Sequence, residues 1–557
     1  MNVAEAFAQV LKAEGCEYLF CFPTTPIMEA CSEAGIRPIV TRQERVAGNM
    51  ADGYSRQNNG QRIGVVSVQQ SAGAENAFAG LAHAYTDSSP VLFVPGNWAS
   101  GVSSLPPNFS SVKNYAHVTK WADQVPNAQG LLPRMRRAYT NLKNGRPRPV
   151  LLELPVDVAQ QTIENFQYEP IKTYRSQADW QDIRSAVDLL LKAKHPLIWA
   201  GQGCLYARAS AQLTELAELT GARVTTSLLG KSVINETHPL AVGAASFSKN
   251  AAVVDAIKSA DVIFAVGASL ARDFTAAYIP ATDKNGARKK LIHSNIEATD
   301  INAYFPVDVA LIGDAQLVLQ QIIDEIRDRK AEKDQATVAA TEKLIAAQKK
   351  SWKEAWASQM LCNREPLNFY RVINDFMQTF NADDVVVSHE PGGTRDMLVP
   401  NYEATLPRSY LGWGHSTQLG FSLGACMGAK LAAPEKLVVN FMGEGAIGMV
   451  MGDLETCVRE EIPLMTVINN NSIMGNYQRN IPRSVELYKA SRMSGDYAEV
   501  GKALGLHTER VEKAQDLVPA YLRAAKAVKE GQSALIDIVT ATQPLIPYNG
   551  EYPDELS

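Results

Sequence analysis

Short apolar segments alternate with amphipathic helical segments along most of the 557-residue chain. The apolar segments lack polar alternation, as strands do when helices cover both faces of a parallel sheet. A chain of this length needs more than one core, so we predict an α/β protein with three doubly wound parallel-sheet domains. The predicted strands are residues 18–22, 64–68, 91–95, 150–153, 196–200, 223–226, 262–266, 290–294, 385–388, 437–441, 464–469 and 534–539.

The strand–helix alternation falls into three blocks. We assign the first domain to residues 1–165, the central domain to 179–330, a helical linker to 331–365 and the third domain to 366–557. The start of the linker is charged and rich in alanine and contains no glycine or proline, which indicates a connecting helix. The first and third blocks have a similar length and rhythm, which suggests duplicated α/β units.

Composition excludes several classes of protein. The net charge is −5 without a basic block, so we expect no nucleic-acid or membrane partner. Residues 1–14 form an amphipathic helical pattern rather than a signal peptide, and no apolar stretch approaches the ~20 residues that span a bilayer. The seven cysteines show no CxxC pairing, which predicts buried free thiols in a cytoplasmic protein. They are Cys16, Cys21, Cys31, Cys204, Cys362, Cys426 and Cys457.

The segment 438–477 carries the most informative polar residues. A predicted strand ends in Gly443-Glu444-Gly445, and the next strand ends in three asparagines, the last of which is Asn471. Parallel strands end at one edge of the sheet, so the carboxylate and an asparagine amide can converge there. Oxygen ligands of this kind suit Mg²⁺, and the glycines allow a diphosphate to approach the backbone. The alternative is a tight turn followed by helix-capping asparagines.

This segment resembles the signature of thiamine diphosphate enzymes, in which Gly-Asp-Gly is followed after a similar interval by Asn-Asn. The resemblance implies that Glu444, Asn471 and the Ile473 carbonyl bind Mg²⁺. The asparagine register stays open by one residue, although Asn471 keeps the family's downstream glycine in place. Glutamate replaces the family's aspartate, which affects metal affinity. The resemblance further implies cofactor contacts at Gly443, Gly445, Ala446, Met474 and Gly475.

Residues 42–54 resemble the family's R-x-E-x-x-A-x-x-M-A-x-G-Y segment, with Glu44 at the glutamate. By itself, a glutamate in the first turn of a helix often only compensates the helix dipole. The resemblance implies that Glu44 binds the cofactor and shares a proton with its aminopyrimidine ring. In this family the glutamate and the diphosphate site come from different subunits. We therefore expect at least a homodimer, and a homotetramer as the full assembly.

Other segments resemble the acetolactate synthase and benzoylformate decarboxylase branch, in the expected order along nearly the whole chain. The resemblance places Thr24 and Thr25 in a loop beside the reacting carbon, where glycine is usual. It places Gln69 and Gln70 near the substrate, where their amides could bind a carboxylate or a developing oxyanion. His117 is an acid–base candidate. Further cofactor contacts are implied for Glu390, Gly392, Gly393, Thr394, Gln418 and Leu419, the last supporting the bent cofactor.

The resemblance implies a pyrimidine-binding first domain, a central domain and a diphosphate-binding third domain. The implied activity is that of a thiamine-diphosphate- and Mg²⁺-dependent lyase or carboligase that acts on 2-oxo acids or similar acyl donors, with aldehydes as further substrates. A simple decarboxylase of the benzoylformate decarboxylase type is the first alternative. A flavin or NAD oxidoreductase with a turn at Gly201-Gln202-Gly203, and a non-catalytic cofactor-binding paralogue, are the others. Some family members bind FAD in the central domain, but we do not expect FAD here.

Overall fold

The structure is a computed structural model that describes residues 1–103, 105–271, 278–475, 477, 480–542 and 545–552. It contains three six-stranded sheets whose strands all pair in parallel. Helices flank each sheet, so the predicted fold class is confirmed. The sheets lie within residues 18–155, 196–312 and 385–539. The exact domain limits stay predictions.

The first domain has the strand order β2-β1-β3-β4-β6-β5. Its central strands β3 and β4 are buried along their whole length, because helices pack on both faces of the sheet. Its strands are β1 Tyr18–Cys21, β2 Arg37–Val40, β3 Gly64–Val68, β4 Val91–Asn97, β5 Trp121–Gln124 and β6 Val150–Pro155. Its helices are α1 Val3–Ala13, α2 Met28–Glu33, α3 Glu44–Gln57, α4 Ala72–Thr86, α5 Ser111–Tyr115, α6 Leu131–Lys143 and α7 Val156–Ala159.

The central domain has the order β12-β11-β10-β7-β8-β9 and an apolar core of its own. Its strands are β7 Pro196–Ala200, β8 Arg223–Thr226, β9 Ala241–Ala244, β10 Val262–Val266, β11 Lys290–Asn295 and β12 Val309–Ile312. Its helices are α8 Trp180–Lys192, α9 Gln202–Tyr206, α10 Ser210–Thr220, α11 Ala251–Ser259 and α12 Ala315–Asp328.

The connecting helix α13 spans Gln335–Met360, inside the predicted helical linker 331–365. Asp334 caps its N-terminus by accepting the N–H of Thr337, which fixes the start. Trp352 and Trp356 of this helix are buried in the core of the third domain. The helix therefore packs on the third domain rather than running free between domains.

The third domain has the order β14-β13-β15-β16-β18-β17, which is the strand order of the first domain. Its strands are β13 Val385–His389, β14 Tyr410–Leu411, β15 Leu437–Gly443, β16 Met465–Asn470, β17 His507–Val511 and β18 Ala534–Val539. Its helices are α14 Phe369–Thr379, α15 Gly393–Leu398, α16 Phe421–Ala432, α17 Glu444–Val450, α18 Leu454–Arg459, α19 Pro482–Tyr488, α20 Tyr497–Ala503 and α21 Leu517–Lys529.

The first and third domains pack closely through helices α3 and α16. A Cβ atom on Gly53 would overlap the carbonyl oxygen of Ala425, and one on Gly428 would overlap the carbonyl oxygen of Met50. Side chains of both domains share one apolar core. The two domains therefore meet where only glycine allows the helix backbones to approach so closely.

Six strands were absent from the sequence prediction, and each lies at an edge of its sheet: β2, β5, β9, β12, β14 and β17. Most of them are only half-buried, so they lack the continuous apolar run that marks an interior strand.

Two expectations about the chain as a whole can be compared with the structure. All seven cysteines carry free thiols, and six of them are buried. Among the described helices, none combines the length and apolar composition required to cross a bilayer.

Candidate active site

Glu44 is the first residue of α3 and is 5% exposed at the carboxyl edge of the first sheet. The Asn76 amide nitrogen donates to Glu44 Oε2 at 3.3 Å. A Cβ atom on Gly73 would lie 3.6 Å from Glu44 Oε1, so the lack of a side chain at Gly73 leaves room beside the carboxyl group. The carboxyl group is thus held by a neutral amide at the position that the sequence predicted for a catalytic glutamate.

Thr24 and Gln69 lie beside Glu44, and Gln70 lies next to β4 in the same domain. Thr24 follows β1, and its Oγ1 donates to Gln69 Oε1 at 3.1 Å. Gln69 Cγ lies 2.9 Å from the Cβ position of Gly73, the same glycine that adjoins Glu44. The Gln70 side-chain oxygen lies 3.5 Å from the Cβ position of Gly96 on β4. Loops after neighbouring parallel strands therefore bring these predicted residues together.

Thr25 and His117 differ from that group. The Thr25 hydroxyl oxygen is buried and has no hydrogen-bond partner among the described residues. His117 is exposed in the turn after α5, and no hydrogen bond joins it to the described residues around Glu44. The structure thus leaves Thr25 with an unused donor and does not bring His117 into the group.

Glu444 begins α17 at the carboxyl end of β15 and is 3% exposed. Its carboxyl group accepts the backbone N–H of Ser472, which lies in the loop after β16. Burial raises the pKa of Glu444 to about 7, although backbone hydrogen bonds oppose the shift. The side chain therefore spans the gap between the two strand ends that were predicted to form the metal site.

The three consecutive asparagines have different surroundings. Asn469 accepts a hydrogen bond from the Thr540 hydroxyl, and Asn470 donates to Asp537 at 2.9 Å. The side chain of Asn471 is half-buried and, among the described residues, accepts only the N–H of Ile473, at 3.2 Å. The first two asparagines are therefore held inside the third domain, whereas Asn471 lies at the loop surface beside Glu444.

Open space lies next to two of the predicted glycines. Apart from the chain neighbours, no heavy atom of a described residue comes within 4 Å of the Cβ position on Gly392 or on Gly443. Gly392 has a φ of 88° and precedes α15, so the N–H groups of Gly393 and Thr394 stand at a helix start. Backbone N–H groups at a helix start favour a phosphate group. On the other side, Met474 Cε lies 2.9 Å from the Cβ position of Gly445.

Glu390 has a role that the sequence did not predict. Its carboxyl group is fully buried and accepts the N–H groups of Gly420 at 2.9 Å and Ser422 at 2.8 Å. Burial raises its pKa to about 7 against these hydrogen bonds. The side chain holds the turn that follows Leu419 rather than facing open space, while its backbone leads into the loop at Gly392.

The predicted cofactor-bending loop carries Gln418 and Leu419. Leu419 packs on the core shared by the first and third domains, and its carbonyl oxygen accepts a hydrogen bond from Arg45. The side-chain oxygen of Gln418 is buried without a partner among the described residues. The loop is therefore tied to α3 at the residue next to Glu44.

Sequence reasoning missed the residues of the first domain that hold the start of this loop. Asp87 accepts the N–H groups of Gly414 at 2.8 Å and His415 at 2.9 Å. Arg56 donates to the carbonyl oxygen of Gly412 at 2.9 Å and is paired with Asp52 one helical turn earlier. The i,i+4 spacing of Asp52 and Arg56 is the signal that could have suggested an internal ion pair.

The central domain gives a packing reason for its paired glycines. A Cβ atom on Gly201 would overlap the carbonyl oxygen of Gly267, and Gly203 lies against the same loop. A cavity of about 620 Å³ opens beside them. Its volume is in the range of small-molecule sites. The glycines of the Gly201-Gln202-Gly203 turn therefore allow two backbones to come into contact.

The residues of the third domain fit a diphosphate held through Mg²⁺. In the described part of the chain, no group of three or more His, Cys, Asp or Glu side chains could hold a metal ion. Glu444 and Asn471 carry side-chain oxygen atoms of the type that binds Mg²⁺, and Gly392 and Gly443 border open space. Mg²⁺ usually binds only a few protein ligands, and phosphate oxygens and water complete its coordination.

Three family models match the chain, one for each sheet. Residues 1–124 match the N-terminal TPP binding domain of thiamine pyrophosphate enzymes. Residues 183–322 match the central domain of these enzymes, and residues 392–538 match their C-terminal TPP binding domain.

Similar curated proteins align with nearly the whole chain. A probable acetolactate synthase large subunit of Methanocaldococcus jannaschii is 26% identical over 99% of this chain and 94% of its own length. A sulfoacetaldehyde acetyltransferase of Alcaligenes xylosoxydans xylosoxydans is 27% identical over 97% of this chain and 93% of its length. A glyoxylate carboligase of Escherichia coli O157:H7 is 27% identical, with coverage of 94% and 90%.

Proposed function

The chain belongs to the thiamine diphosphate-dependent enzymes, in the acetolactate synthase-like branch, and from this premise we propose that it is an Mg²⁺-dependent carboligase acting on 2-oxo acids or similar acyl donors. The observation that carries the proposal is a pair of buried carboxyl groups at the carboxyl edges of two sheets with the same strand order. Glu44 lies at the first sheet and Glu444 at the third. The names of the relatives, a synthase, an acetyltransferase and a carboligase, support transfer of an acyl group.

Binding of the cofactor's diphosphate is assigned to the third domain. Glu444, Asn471 and the Ile473 carbonyl hold Mg²⁺, and the N–H groups of Gly393 and Thr394 receive the diphosphate. The commitment of Asn469 and Asn470 to internal hydrogen bonds supports Asn471 as the ligand. A glutamate provides the same carboxylate oxygen ligand as an aspartate, on a side chain that is one methylene group longer.

Activation and substrate binding are assigned to the first domain. Bound thiamine diphosphate supplies a nucleophilic carbon and takes up the electron pair that a departing CO₂ leaves behind. Glu44 would share a proton with the aminopyrimidine ring of the bound cofactor, and Leu419 would support that ring. Gln69 and Gln70 donate hydrogen bonds to substrate oxygens from the same side.

The smallest active unit in this proposal is a homodimer, with a homotetramer as the full assembly. The first and third domains carry complementary halves of one site, as expected when Glu44 of one chain serves the diphosphate site of another. We also place the protein in the cytoplasm, for which its seven free cysteines give support.

The proposal is tested by incubating the wild type with thiamine diphosphate, Mg²⁺ and a panel of 2-oxo acids while following CO₂ release and product mass. We expect the Glu44→Gln variant to lose at least roughly 100-fold in turnover, because an amide cannot share the proton. Its cofactor binding and thermal unfolding should match the wild type. Turnover near the wild-type rate in Glu44→Gln would contradict the assigned activation.

A further inference from the structure

Thr24 adopts a backbone conformation that is uncommon for its side chain. Its φ is 72°, in the left-handed region, where a β-branched residue is a clear outlier. Glycine is usual at this position in the family that the loop resembles, and Thr24 keeps the backbone conformation typical of glycine while adding a hydroxyl group. An outlier of this kind, beside a catalytic glutamate, points to a function for the added side chain.

The Thr24 hydroxyl determines the direction of the Gln69 amide. Thr24 Oγ1 donates to Gln69 Oε1 at 3.1 Å, so the amide oxygen is engaged and the amide nitrogen faces away from Thr24. The Gln69 side chain packs against Gly73, and Gly73 also lies next to the carboxyl group of Glu44. The two N–H donors of the Gln69 amide therefore lie near Glu44, the residue proposed to share a proton with the cofactor.

The side chains beside Gly73 and at the start of this loop are uncharged. Thr24, Gln69 and Gln70 carry hydroxyl and amide groups only. A fixed neutral donor binds a ground-state carbonyl weakly and binds it more strongly as negative charge develops on the oxygen. Neutral hydrogen-bond donors of this kind fit the carbonyl group of an aldehyde or ketone while a nucleophile attacks its carbon atom.

We propose that Thr24 is a positioning residue that turns Gln69 so that its amide nitrogen donates to the carbonyl oxygen of the acceptor, which favours ligation over release of an aldehyde. This inference rests on the proposed function. After CO₂ leaves the donor, the remaining electron pair either takes up a proton, giving the aldehyde, or forms a C–C bond to the acceptor carbonyl carbon. In the second case the acceptor oxygen takes up the proton, giving a 2-hydroxy ketone. Both outcomes balance without an oxidant or reductant.

The test measures the ratio of 2-hydroxy ketone to aldehyde formed from one donor. The donor is the 2-oxo acid that the wild type turns over fastest in a panel that includes pyruvate, with ¹³C-labelled acetaldehyde as a common acceptor, so that mass distinguishes the aldehyde released from the donor. Both products share the steps up to CO₂ release, so this ratio does not depend on how much of a variant is folded. It therefore separates positioning from a general loss of stability.

The variants isolate the hydroxyl group from the shape of the side chain. Thr24→Val keeps the β-branched shape at the same backbone, and we expect its ratio to fall about tenfold, since the amide loses its fixed direction. Thr24→Ser keeps the hydroxyl group and should stay near the wild-type ratio. Gln69→Leu should fall at least as far as Thr24→Val. The double variant should fall no further than Gln69→Leu, because both changes remove one interaction.

A wild-type ratio in Thr24→Val, or additive losses in the double variant, would overturn the inference while leaving the proposed function intact. Production of aldehyde alone by the wild type would also overturn it. Absence of CO₂ release by the wild type from every 2-oxo acid would instead reject the proposed function, and the inference with it.

Discussion

At the scale of single residues, Glu444 is where this chain departs from the usual aspartate. Its longer side chain reaches the N–H of Ser472, so the carboxyl group already touches the loop that carries Asn471. With its extra methylene group, the Glu444 side chain therefore reaches the loop that follows β16.

Replacing this carboxyl group tests its assignment to the metal. We expect Glu444→Ala to lose most Mg²⁺-dependent retention of thiamine diphosphate, because one of few protein oxygen ligands is gone. Retention is measured as cofactor remaining with the protein after gel filtration at graded Mg²⁺ concentrations. Glu444→Asp is the control and should retain the cofactor. Equal retention in the alanine variant would place the metal elsewhere.

The buried carboxyl group of Glu390 predicts a dependence of stability on pH. Its pKa is raised from 4.5 to about 7 by burial, so the folded chain binds more protons than the unfolded chain between these values. Stability should therefore fall as the pH rises from 4.5 toward 7, by roughly 3 kcal/mol from this group.

Glu390→Gln removes that contribution, so its unfolding midpoint should fall less steeply over the same pH range in the cofactor-free protein. Glu435→Gln, at an exposed carboxyl group in the same domain, should keep the wild-type slope. Parallel curves for wild type and Glu390→Gln would show that Glu390 titrates normally.

How far the sequence predicts the site depends on what each residue contacts. Glu44, Thr24 and Gln69 stand in recognisable local segments, and the structure brings them together. Asp87 and Arg56 hold a loop more than 300 residues away, and no local pattern reports contacts of that kind. These positions become apparent only when the first and third domains are seen in contact.

At the scale of elements, the prediction divides by position in the sheet. Every interior strand was predicted, and every edge strand was missed. Interior strands such as β3 are buried on both faces and read as continuous apolar runs. Edge strands such as β5 are half-buried along their length, and β14 has only two residues. Their pairing is determined by the neighbouring strand rather than by their own composition.

The contact between α3 and α16 should be intolerant of any added side chain. Gly53→Ala places a methyl group against the backbone oxygen of Ala425, which cannot move without shifting a helix. We expect a loss of at least about 2 kcal/mol in unfolding free energy, measured by denaturant titration.

Gly452→Ala is a matched control for this change. Among the described residues its Cβ atom would meet only the Arg42 side chain, at 3.9 Å, so its stability should stay close to the wild type. Equal stability of Gly53→Ala and Gly452→Ala would mean that the two helices can separate without cost.

At the scale of the whole molecule, mixing two inactive variants tests whether sites form between chains. Glu44→Gln disables the first domain and Glu444→Ala the third. A mixed dimer then contains one site with both carboxyl groups and one site with neither. After co-refolding in equal amounts, we expect roughly a quarter of the wild-type turnover, since half of the dimers are mixed and each has one intact site. No recovery would indicate that each chain builds its site alone.

The shared strand order of the first and third domains gives the molecule an approximate internal symmetry. Helix α3 follows edge strand β2 and helix α16 follows edge strand β14, so the two helices that meet occupy equivalent places in the two sheets. The same strand order therefore carries Glu44 at the carboxyl edge of one sheet and Glu444 at the carboxyl edge of the other. In the proposed dimer each chain takes part in two sites, so an assembly of such chains would carry its reaction centres in even numbers.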